Sequence, residues 1–370
     1  MTIGVLHEPA PETRVSLLPE HVATLVKAGH RVVVQNEAGL KSFAFDDAYK
    51  KVGARMGTRM EVMQLSDIIL GIHLHHEKDM VNKVFIGDYR PLFNFGAMKQ
   101  LAGQNAIVFS LDMLPRTTRA QAMDILSSQA NIAGYKAVLL AAQMLPRYIP
   151  MFMTAAGSIP PARVVVIGAG VAGLQAIATA KRLGAIVEVS DTRPAVKEEV
   201  QSLGGKFIEV EGAADASQAG GYAVEQSEDF KQRQRQKLAE CIAKADIVIS
   251  TAAIPGKKAP VIITRDMVRT MKPGSVIIDL AASTGGNTEL TENNQTIVHH
   301  FVSIVGDSHL YCNAPADASK VYGKNILNFL ELIMNKEGAL NLDLTDELVK
   351  GTLITHEGKV VHERILPLTQ

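Results

Sequence analysis

Short apolar runs alternate with amphipathic segments from the first residues of the chain. Residues 3–6 and 31–34 are mainly apolar and predict buried strands, and residues 19–28 between them have the apolar spacing and leading proline of a helix. Further apolar runs, which also predict strands, occupy residues 68–70, 92–95 and 106–110. Strands that alternate with helices are typical of a parallel sheet, so this part of the chain predicts an α/β domain.

A second series of strands starts near the middle of the chain. Two helical patterns, residues 118–128 and 132–147, lead into it, and the second is apolar enough to be a buried connector. The predicted strands of the series are residues 164–167, 186–189, 206–208, 247–249, 276–278 and 301–305. The sequence therefore predicts a second α/β domain with the same alternation as the first.

The first strand of this second series breaks into the pattern Gly-x-Gly-x-x-Gly. Gly168 permits a tight turn, Gly170 lets a pyrophosphate approach the backbone, and Gly173 lets the following helix pack closely on its strand. The helix N-terminus favours phosphate, because its N–H groups and its dipole attract negative charge. Such a pattern alone also fits a purely structural turn, but its position between a predicted strand and a predicted helix favours dinucleotide binding.

An acidic residue follows at the end of the next predicted strand. Asp191 lies eighteen residues after Gly173, where a carboxylate holds the ribose 2′-hydroxyl of a dinucleotide. The 2′-phosphate of NADP would be repelled there, so Asp191 favours NAD. Arg193, two residues further on, is a cation that leaves the alternative open.

The C-terminal residues lack a sheet of their own. Residues 321–334 have apolar positions at helical spacing, and residues 353–354 and 360–361 flank Glu357-Gly358 as a hairpin. We expect this segment to complete the first domain. The predicted fold is therefore α/β, with two Rossmann-like doubly wound domains and a cleft between them. The first domain is discontinuous, residues 1–131 plus 316–370, and the second comprises residues 132–315.

The amino-acid composition limits the classes of binding partner and the cellular compartment that we expect for the chain. Lys plus Arg and Asp plus Glu number 38 each in 370 residues, so the charge balance does not indicate binding to nucleic acid or to an anionic membrane. Cys241 and Cys312 lack metal-ligand or redox spacing, which fits a reducing cytoplasm. The most apolar window, residues 130–157, contains Lys136 and Arg147 and falls short of a membrane span. We expect no metal.

Two polar segments have alternative interpretations. The first is predicted to be either a loop and capped turn facing the interdomain cleft or an amphipathic surface helix. Its polar residues are Arg116, Arg119, Gln121, Asp124 and Ser127. Residues 212–236 are a solvated helix after an exposed loop, or a mobile flap over a dinucleotide. The histidines of residues 73–76, and His299, His300 and His309, have no typical catalytic or metal-binding spacing, so the residues alone do not provide a proton acceptor for a dehydrogenase.

Several stretches closely resemble the NAD(H)-binding component of proton-translocating nicotinamide nucleotide transhydrogenases. They are residues 116–128, 131–135, 154–157, 168–178, 191–194, 251–256 and 271–276. The resemblance implies a catalytic group at the nicotinamide and a mobile loop that closes on the nucleotide, and so it favours the flap over the solvated helix. The implied catalytic residues are Arg116, Gln121, Asp124, Ser127 and Tyr222. The implied NAD(H)-binding residues are Gly168, Gly170, Val171, Gly173, Asp191, Thr192, Arg193, Gly221, Gln234, Thr251, Ala252 and Ala253.

The same resemblance implies an activity that needs other chains. NAD(H) is a substrate here, and hydride passes between it and NADP(H) on a partner component, with coupling to proton movement by a membrane component. The implied partners are a second copy of this chain, an NADP(H)-binding beta subunit and a membrane-spanning proton channel. The implied location is cytoplasmic, peripheral to the inner membrane through the partner subunits.

Alanine dehydrogenase is a related family that the sequence also resembles, with a similar start and an arginine like Arg14. Three of its catalytic positions fall here near Gly71, near residues 96–97 and at Ser283, where the sequence lacks the lysine, histidine and aspartate of that enzyme. The loss argues against amination of a substrate, whereas transfer between two nicotinamide rings requires no general base. A stand-alone amino-acid dehydrogenase and a non-catalytic NAD-responsive binding protein remain the alternatives.

Overall fold

Two large sheets organise the chain, whose computed structural model describes residues 1–74, 81–210, 227–254, 256–335 and 338–369. One unit comprises residues 1–129 and 311–370, and the other comprises residues 130–310. The first unit is therefore discontinuous, because its C-terminal part returns to it after the whole second unit. This confirms the two-domain α/β fold predicted from the alternation of strands and helices.

The first unit contains an eight-stranded sheet. Six strands are parallel, and the C-terminal hairpin adds two antiparallel strands at one edge. In spatial order the strands are Lys359–Val360, Leu353–His356, Ile107–Ser110, Val84–Gly87, Ile68–Leu70, Thr2–Val5, Arg31–Gln35 and Arg55–Gly57. From Thr2–Val5, the second and third strands of the chain extend the sheet in one direction and the fourth to sixth in the other, which is the doubly wound order.

Helices cover both faces of this sheet. Ile68 and Leu70 contribute to one apolar core and Ile69 to the other, because successive residues of a strand point to opposite faces. Burial on both faces explains why these strands are continuous apolar runs. The α-helices of the unit are Pro19–Lys27, Asp46–Lys51, Arg59–Leu65, Phe95–Gly103, Pro315–Ile333 and Glu347–Thr352.

The second unit has a seven-stranded sheet of the same winding. Its spatial order is Lys206–Phe207, Ile186–Ser190, Arg163–Ile167, Ile247–Ser250, Val276–Asp279, Val302–Val305 and Thr296–His299. All pairings are parallel except that of Thr296–His299, an antiparallel edge strand missed by the sequence analysis. Strand order reverses at Arg163–Ile167, so its carboxyl end and that of Ile247–Ser250 flank the topological switch point, where doubly wound sheets bind ligands.

The α-helices around this second sheet are Val171–Arg182, Lys197–Ser202, Glu228–Lys244 and Arg265–Thr270. Helix Ile125–Met144 begins in the first unit and ends in the second. A separate hairpin of Phe152–Thr154 and Gly157–Ile159 has every residue exposed. No helix of the described ranges is long and apolar enough to cross a membrane, and no group of His, Cys, Asp or Glu in those ranges is arranged as a metal site.

The predicted strand at residues 92–95 is wrong. Those residues form a turn and the start of helix Phe95–Gly103, and the strand is Val84–Gly87 instead. The turn follows Arg90, which has a positive φ of 45°, and the Asn94 side chain donates a hydrogen bond to the Tyr89 carbonyl. The apolar pattern misled the prediction because the aromatic rings of residues 93 and 95 are exposed rather than packed in the sheet.

The two helical patterns at residues 118–128 and 132–147 divide at another place than predicted. Residues Thr118–Met123 form a 3₁₀ segment, and one continuous helix covers Ile125–Met144. Asp124, with ψ of 94°, interrupts the helical conformation between them. Its side chain accepts hydrogen bonds from the Ser127 backbone N–H and hydroxyl, which stabilises the start of the long helix.

Candidate functional site

The glycine turn lies at the switch point of the second sheet. Strand Arg163–Ile167 ends at Gly168, whose φ of +91° is a left-handed conformation that favours glycine. Helix Val171–Arg182 follows, with Gly170 at its N-cap and no side chain capping its first N–H groups. A helix N-terminus with this construction is a ready anion-binding position.

The three glycines of the turn meet different surroundings. A Cβ on Gly173 would lie 1.8 Å from the Gly168 carbonyl oxygen, so helix and strand approach each other as closely as glycine allows. A Cβ on Gly170 would meet no atom within 4 Å. Gly134 of the long helix, which the sequence analysis did not single out, also packs closely, since a Cβ there would lie 2.1 Å from the Ala172 carbonyl oxygen. The turn is thus rigidly packed except at Gly170, which faces open space.

The neighbouring strand supports the turn from the other side of the switch point. The Thr251 backbone N–H donates to the Ile167 carbonyl at 2.8 Å, and its hydroxyl donates to the Gly168 carbonyl at 3.0 Å. A Cβ on Gly168 would lie 2.7 Å from that hydroxyl oxygen. Thr251 therefore fixes the position of the glycine turn.

A buried polar network that the sequence analysis missed holds the next residue, Ala252. The Asn287 amide nitrogen donates to the Ala252 carbonyl at 2.7 Å, and its amide oxygen accepts from the Ala252 N–H at 3.1 Å. Asn287 and Asp279 are fully buried, and the Asp279 carboxylate accepts the Asn287 N–H at 2.6 Å. The Ser250 hydroxyl also donates to the Asn287 amide oxygen. The signal in the sequence is a polar residue at the carboxyl end of an apolar strand, which is Ser250 in one strand and Asp279 in the next.

Asp191 lies at the end of the strand beside the turn, and its carboxylate accepts four hydrogen bonds. The Ala169 N–H donates to Oδ2 at 2.7 Å and the Arg193 N–H donates to Oδ1 at 2.8 Å. The Arg193 guanidinium adds bonds of 3.0 Å from Nε to Oδ1 and 2.9 Å from Nη2 to Oδ2. Burial opposes ionisation of Asp191, but these bonds and the arginine charge outweigh it and lower the pKa of the carboxyl.

The other residues implied by the resemblance are more dispersed. Val171 is the first residue of helix Val171–Arg182, and Thr192 and Ala253 are exposed beside Asp191 and Ala252. Gln234 is half-buried in helix Glu228–Lys244. The helix predicted within residues 212–236 is therefore present from residue 228 onward. Gly221 and Tyr222 lie outside the described residues.

In the first unit, residues 116–127 contain four of the predicted catalytic residues, and the structure brings two of the four into contact. Asp124 and Ser127 are half-buried, and the Ser127 hydroxyl donates to the Asp124 carboxylate at 2.6 Å. Arg116 and Gln121 are exposed. Arg119 forms an ion pair with Asp346 at the start of helix Glu347–Thr352. The segment is thus a 3₁₀ turn followed by a capped helix, and not the amphipathic helix that was the alternative.

The switch point of the first sheet is built differently. Its strands Thr2–Val5 and Ile68–Leu70 lead to Glu8 and Ile72. The buried Glu8 carboxylate accepts the N–H of Ile72 at 2.6 Å and the N–H of His73 at 3.2 Å. A protein carboxylate therefore occupies backbone N–H groups at this switch point, the position where doubly wound sheets bind ligands, and these N–H groups are not available to a phosphate.

A buried ionic cluster beside this switch point was also missed. Arg14 donates from Nη2 to the Glu12 carboxylate at 2.6 Å and from Nη1 to the Gln129 amide oxygen at 2.9 Å. His73 Nε2 lies 2.8 Å from Glu12, and the Cys312 thiol donates to Glu12 at 3.2 Å. The signal is the sequence Glu12-Thr13-Arg14, in which a single residue separates two opposite charges.

Electrostatics explain how so many charges are tolerated in one place. Burial opposes ionisation of Glu12, but the bonds from Arg14 and His73 outweigh it and hold its pKa well below the ordinary range. Burial also opposes the charge on His73, yet Glu12 raises the pKa of that imidazole. Burial, with the charge of Glu12, raises the pKa of the Cys312 thiol to about 12, so this cysteine is an inert donor. The cluster links distant segments of the chain.

Comparison with known proteins identifies the family. The N-terminal domain model of alanine dehydrogenase/PNT matches residues 4–133, and the C-terminal domain model matches residues 137–363. The chain is 44% identical over 376 residues to the first part of NAD(P) transhydrogenase subunit alpha of Rhodospirillum rubrum, covering 98% of both chains. It is 41% identical to NAD(P) transhydrogenase subunit alpha of Haemophilus influenzae, covering 98% of this chain and 72% of that one.

Solved structures agree with the sequence comparisons. A transhydrogenase from Sinorhizobium meliloti matches with a TM-score of 0.89 at 44% identity, over 98% of this chain and all of that one. An L-alanine dehydrogenase matches with a TM-score of 0.80 at 21% identity over the whole of both chains, which shows that the fold is shared. The chain therefore belongs to the alanine dehydrogenase/PNT family and is a transhydrogenase component within it.

Proposed function

We propose that the chain binds NAD(H) at the glycine turn of its second unit and exchanges hydride with NADP(H) held by a partner component, in an assembly that couples this transfer to proton movement. The observation that carries the proposal is the geometry around Gly170. The turn faces open space at a helix N-terminus while Asp191 ends the adjacent strand. These are the two features that a dinucleotide's pyrophosphate and adenosine ribose require.

The residues of the turn fit the phosphates of a dinucleotide. Gly170 and Val171 present the first N–H groups of a 12-residue helix, whose dipole adds positive potential at that end. Thr251 holds the turn, and Asn287 holds Ala252 beside it, so the site is preorganised. Thr192, Ala253 and Gln234 complete the proposed binding residues, together with Gly221, which lies outside the described residues.

Asp191 is the basis for assigning NAD(H) rather than NADP(H) to this chain. Its lowered pKa keeps the carboxylate ionised at neutral pH, as an acceptor for ribose hydroxyls. A 2′-phosphate has no hydroxyl proton to donate at that position. Arg193 belongs to the same end of the site through its ion pair with Asp191.

The reaction requires little of the protein's acids and bases. NADH supplies a hydride from C4 of its reduced ring, so one C4–H bond breaks and another forms on the acceptor ring with both electrons transferred and no proton exchanged. The chain's residues therefore need only to hold the ring and exclude water. We assign this role to Arg116, Gln121, Asp124, Ser127 and Tyr222, with the Asp124–Ser127 hydrogen bond orienting the polar pair.

Other chains complete the proposed activity. The relatives are named as subunit alpha or as the first part of that subunit, and these names describe pieces of a larger transhydrogenase. We propose an NADP(H)-binding beta subunit and a membrane-spanning proton channel as partners, and a cytoplasmic location peripheral to the inner membrane.

We also propose that the chain pairs with a second copy of itself through the hairpin of Phe152–Thr154 and Gly157–Ile159. Its apolar side chains are exposed, Met153 at 73%, Phe152 at 39% and Ile159 at 37%. An isolated two-stranded hairpin is only marginally stable in water, so a partner surface that covers these side chains would stabilise it. Light scattering tests the pairing. The Met153→Asp variant should shift the mass toward that of a monomer, and a monomeric wild-type chain would contradict the proposal.

A binding and turnover experiment tests the proposed function. The chain contains no tryptophan, so NADH fluorescence can be titrated with little interference from the protein. NADH should bind more tightly than NADPH, and the reverse order would refute the assignment of Asp191. In transhydrogenation reconstituted with the partner components, Asp124→Asn and Arg116→Gln should lower turnover more than NADH affinity. Oxidation of NADH with pyruvate and ammonia by the chain alone would instead support an amino-acid dehydrogenase.

A further inference from the structure

The carboxylate of Asp191 is fully engaged by donors of the protein itself. Two of its four hydrogen bonds come from backbone N–H groups, of Ala169 and Arg193. The other two come from the Arg193 guanidinium, one to each oxygen. A carboxylate has about four acceptor positions, so the four bonds use its capacity.

A ribose that binds Asp191 must therefore replace a donor that is already there. The Ala169 N–H is fixed because this residue is buried within the glycine turn. The Arg193 N–H is fixed because its backbone enters the 3₁₀ segment Pro194–Val196. The guanidinium is different, because it is on a long side chain that is 33% exposed. It is the donor that can leave without disturbing the backbone.

We propose that the Arg193 guanidinium is an internal competitor of the adenosine ribose, so that NAD(H) binds by replacing the two guanidinium N–H donors on Asp191 with the 2′- and 3′-hydroxyls of that ribose. The inference rests on the proposed function of this site. It makes Arg193 a determinant of affinity and specificity, because two donors leave the carboxylate and two hydroxyl donors take their positions.

The pairing changes the electrostatic basis of specificity. While Arg193 neutralises Asp191, the pair presents little net charge to a 2′-phosphate. Without the guanidinium the carboxylate is uncompensated, and it repels that phosphate strongly at the low effective dielectric of a half-buried site. Arg193 therefore weakens the discrimination between NADH and NADPH that Asp191 alone would give.

Arg193→Gln tests this competition by removing the charge and shortening the donor. NADH should bind about fivefold more tightly, the scale of a partly exposed ion pair, because the ribose no longer displaces it. NADPH should bind about tenfold more weakly, because the repulsion by Asp191 is no longer compensated. Arg193→Lys keeps the charge with a less matched geometry and should fall between the wild type and Arg193→Gln for both nucleotides.

Arg269→Gln is the matched control, because it also removes an arginine ion pair, with Asp266, from an exposed helix of the same unit. Its affinities for both nucleotides should equal those of the wild type. Thermal melts of all variants establish that the proteins are folded. An NADH analogue with 2′-deoxyribose on the adenosine side tests the exchange itself, since it should gain less from Arg193→Gln than NADH does.

The outcomes separate this inference from the proposed function. If the wild type binds NADH and folded Arg193→Gln binds it more weakly, Arg193 contacts the nucleotide as a donor and the competition is refuted. Equal gains for NADH and its 2′-deoxy analogue, or unchanged discrimination against NADPH, also refute it. Failure of the wild type to bind NADH would instead refute the proposed function.

Discussion

Two glycines in one turn should respond in opposite ways to the same added methyl group. In Gly173→Ala the new Cβ would lie 1.8 Å from the Gly168 carbonyl oxygen and 2.9 Å from its carbon, so the helix and the strand end must separate. In Gly170→Ala the new Cβ would meet no atom within 4 Å, and φ of −79° suits alanine. The first change should therefore damage the fold, and the second should damage the nucleotide site.

The magnitudes follow from these surroundings. The overlap at Gly173 compares with overpacking of a core, which costs about 1–3 kcal/mol, and each kcal/mol lowers the melting temperature of a domain of this size by about 2–4 °C. For Gly170→Ala, the weaker N-cap and the reduced entropy of the unfolded chain are each worth about 0.5–1 kcal/mol and offset one another. Its methyl group lies where the pyrophosphate approaches, so one charged hydrogen bond, about 1.5–3 kcal/mol, should be lost.

Calorimetric melting and NADH fluorescence titration together check this prediction. Gly173→Ala should melt several degrees lower, whereas Gly170→Ala should melt as the wild type does and bind NADH about 10–100-fold more weakly. Gly96→Ala in helix Phe95–Gly103 is the control, because its Cβ would also meet no atom within 4 Å. Wild-type NADH affinity in Gly170→Ala, or a melting temperature as low as that of Gly173→Ala, would refute the reasoning.

Three further predictions concern single side chains. Asp246 is buried and accepts from the Arg147 and Lys272 side chains and from a backbone N–H, and these bonds lower its pKa despite burial. The stabilisation that the ionised Asp246 provides is complete above its unfolded pKa of about 3.9, and it is lost as pH falls through the lower folded pKa. Asp246→Asn should therefore cost about 2 kcal/mol at pH 7, and the melting temperature of this variant should fall less steeply at acid pH. The pH dependence expected of His73 has the opposite sign, because its pKa is raised in the folded state. Its stabilising effect is complete below the unfolded pKa of about 6.5 and is lost as pH rises through the higher folded pKa. His73→Gln should therefore reduce the fall of the melting temperature at alkaline pH, and an unchanged fall would contradict this. Thr251→Ala should weaken NADH binding because the Gly168 carbonyl loses its hydroxyl donor, and Thr251→Ser should restore binding in the same titration.

Local pattern was sufficient for the architecture because most strands are buried on both faces. Such strands are continuous apolar runs, as at residues 68–70 and 276–278, and the pattern predicted them correctly. The pattern failed at residues 92–95, where an aromatic run is exposed in a turn, and at the edge strand Thr296–His299, whose residues alternate between exposed and half-buried. Segments that are buried on only one face, or on neither, have a weaker apolar pattern in the sequence.

The candidate site was predictable where spacing along the chain determines it. Gly168 and Gly170, and the position of Asp191 after them, belong to one strand–turn–helix–strand unit. The Asn287–Ala252 clamp joins residues that are 35 apart, and the Glu12–Cys312 bond joins residues that are 300 apart. No local pattern contains such pairings. The sequence did show that Arg193 is near Asp191, but only the side-chain geometry shows that the two share a carboxylate.

The hairpin formed by Leu353–His356 and Lys359–Val360 determines when the first sheet can be finished during synthesis. Its inner strand pairs with Ile107–Ser110, whose outer edge is otherwise bare, and all of residues 130–310 are made between the two. Because the chain leaves the ribosome from its N-terminus, the second unit is complete while the first still has an unpaired, apolar edge. That edge can associate with other chains until the hairpin arrives, so the nascent first unit should be more prone to aggregation than the second.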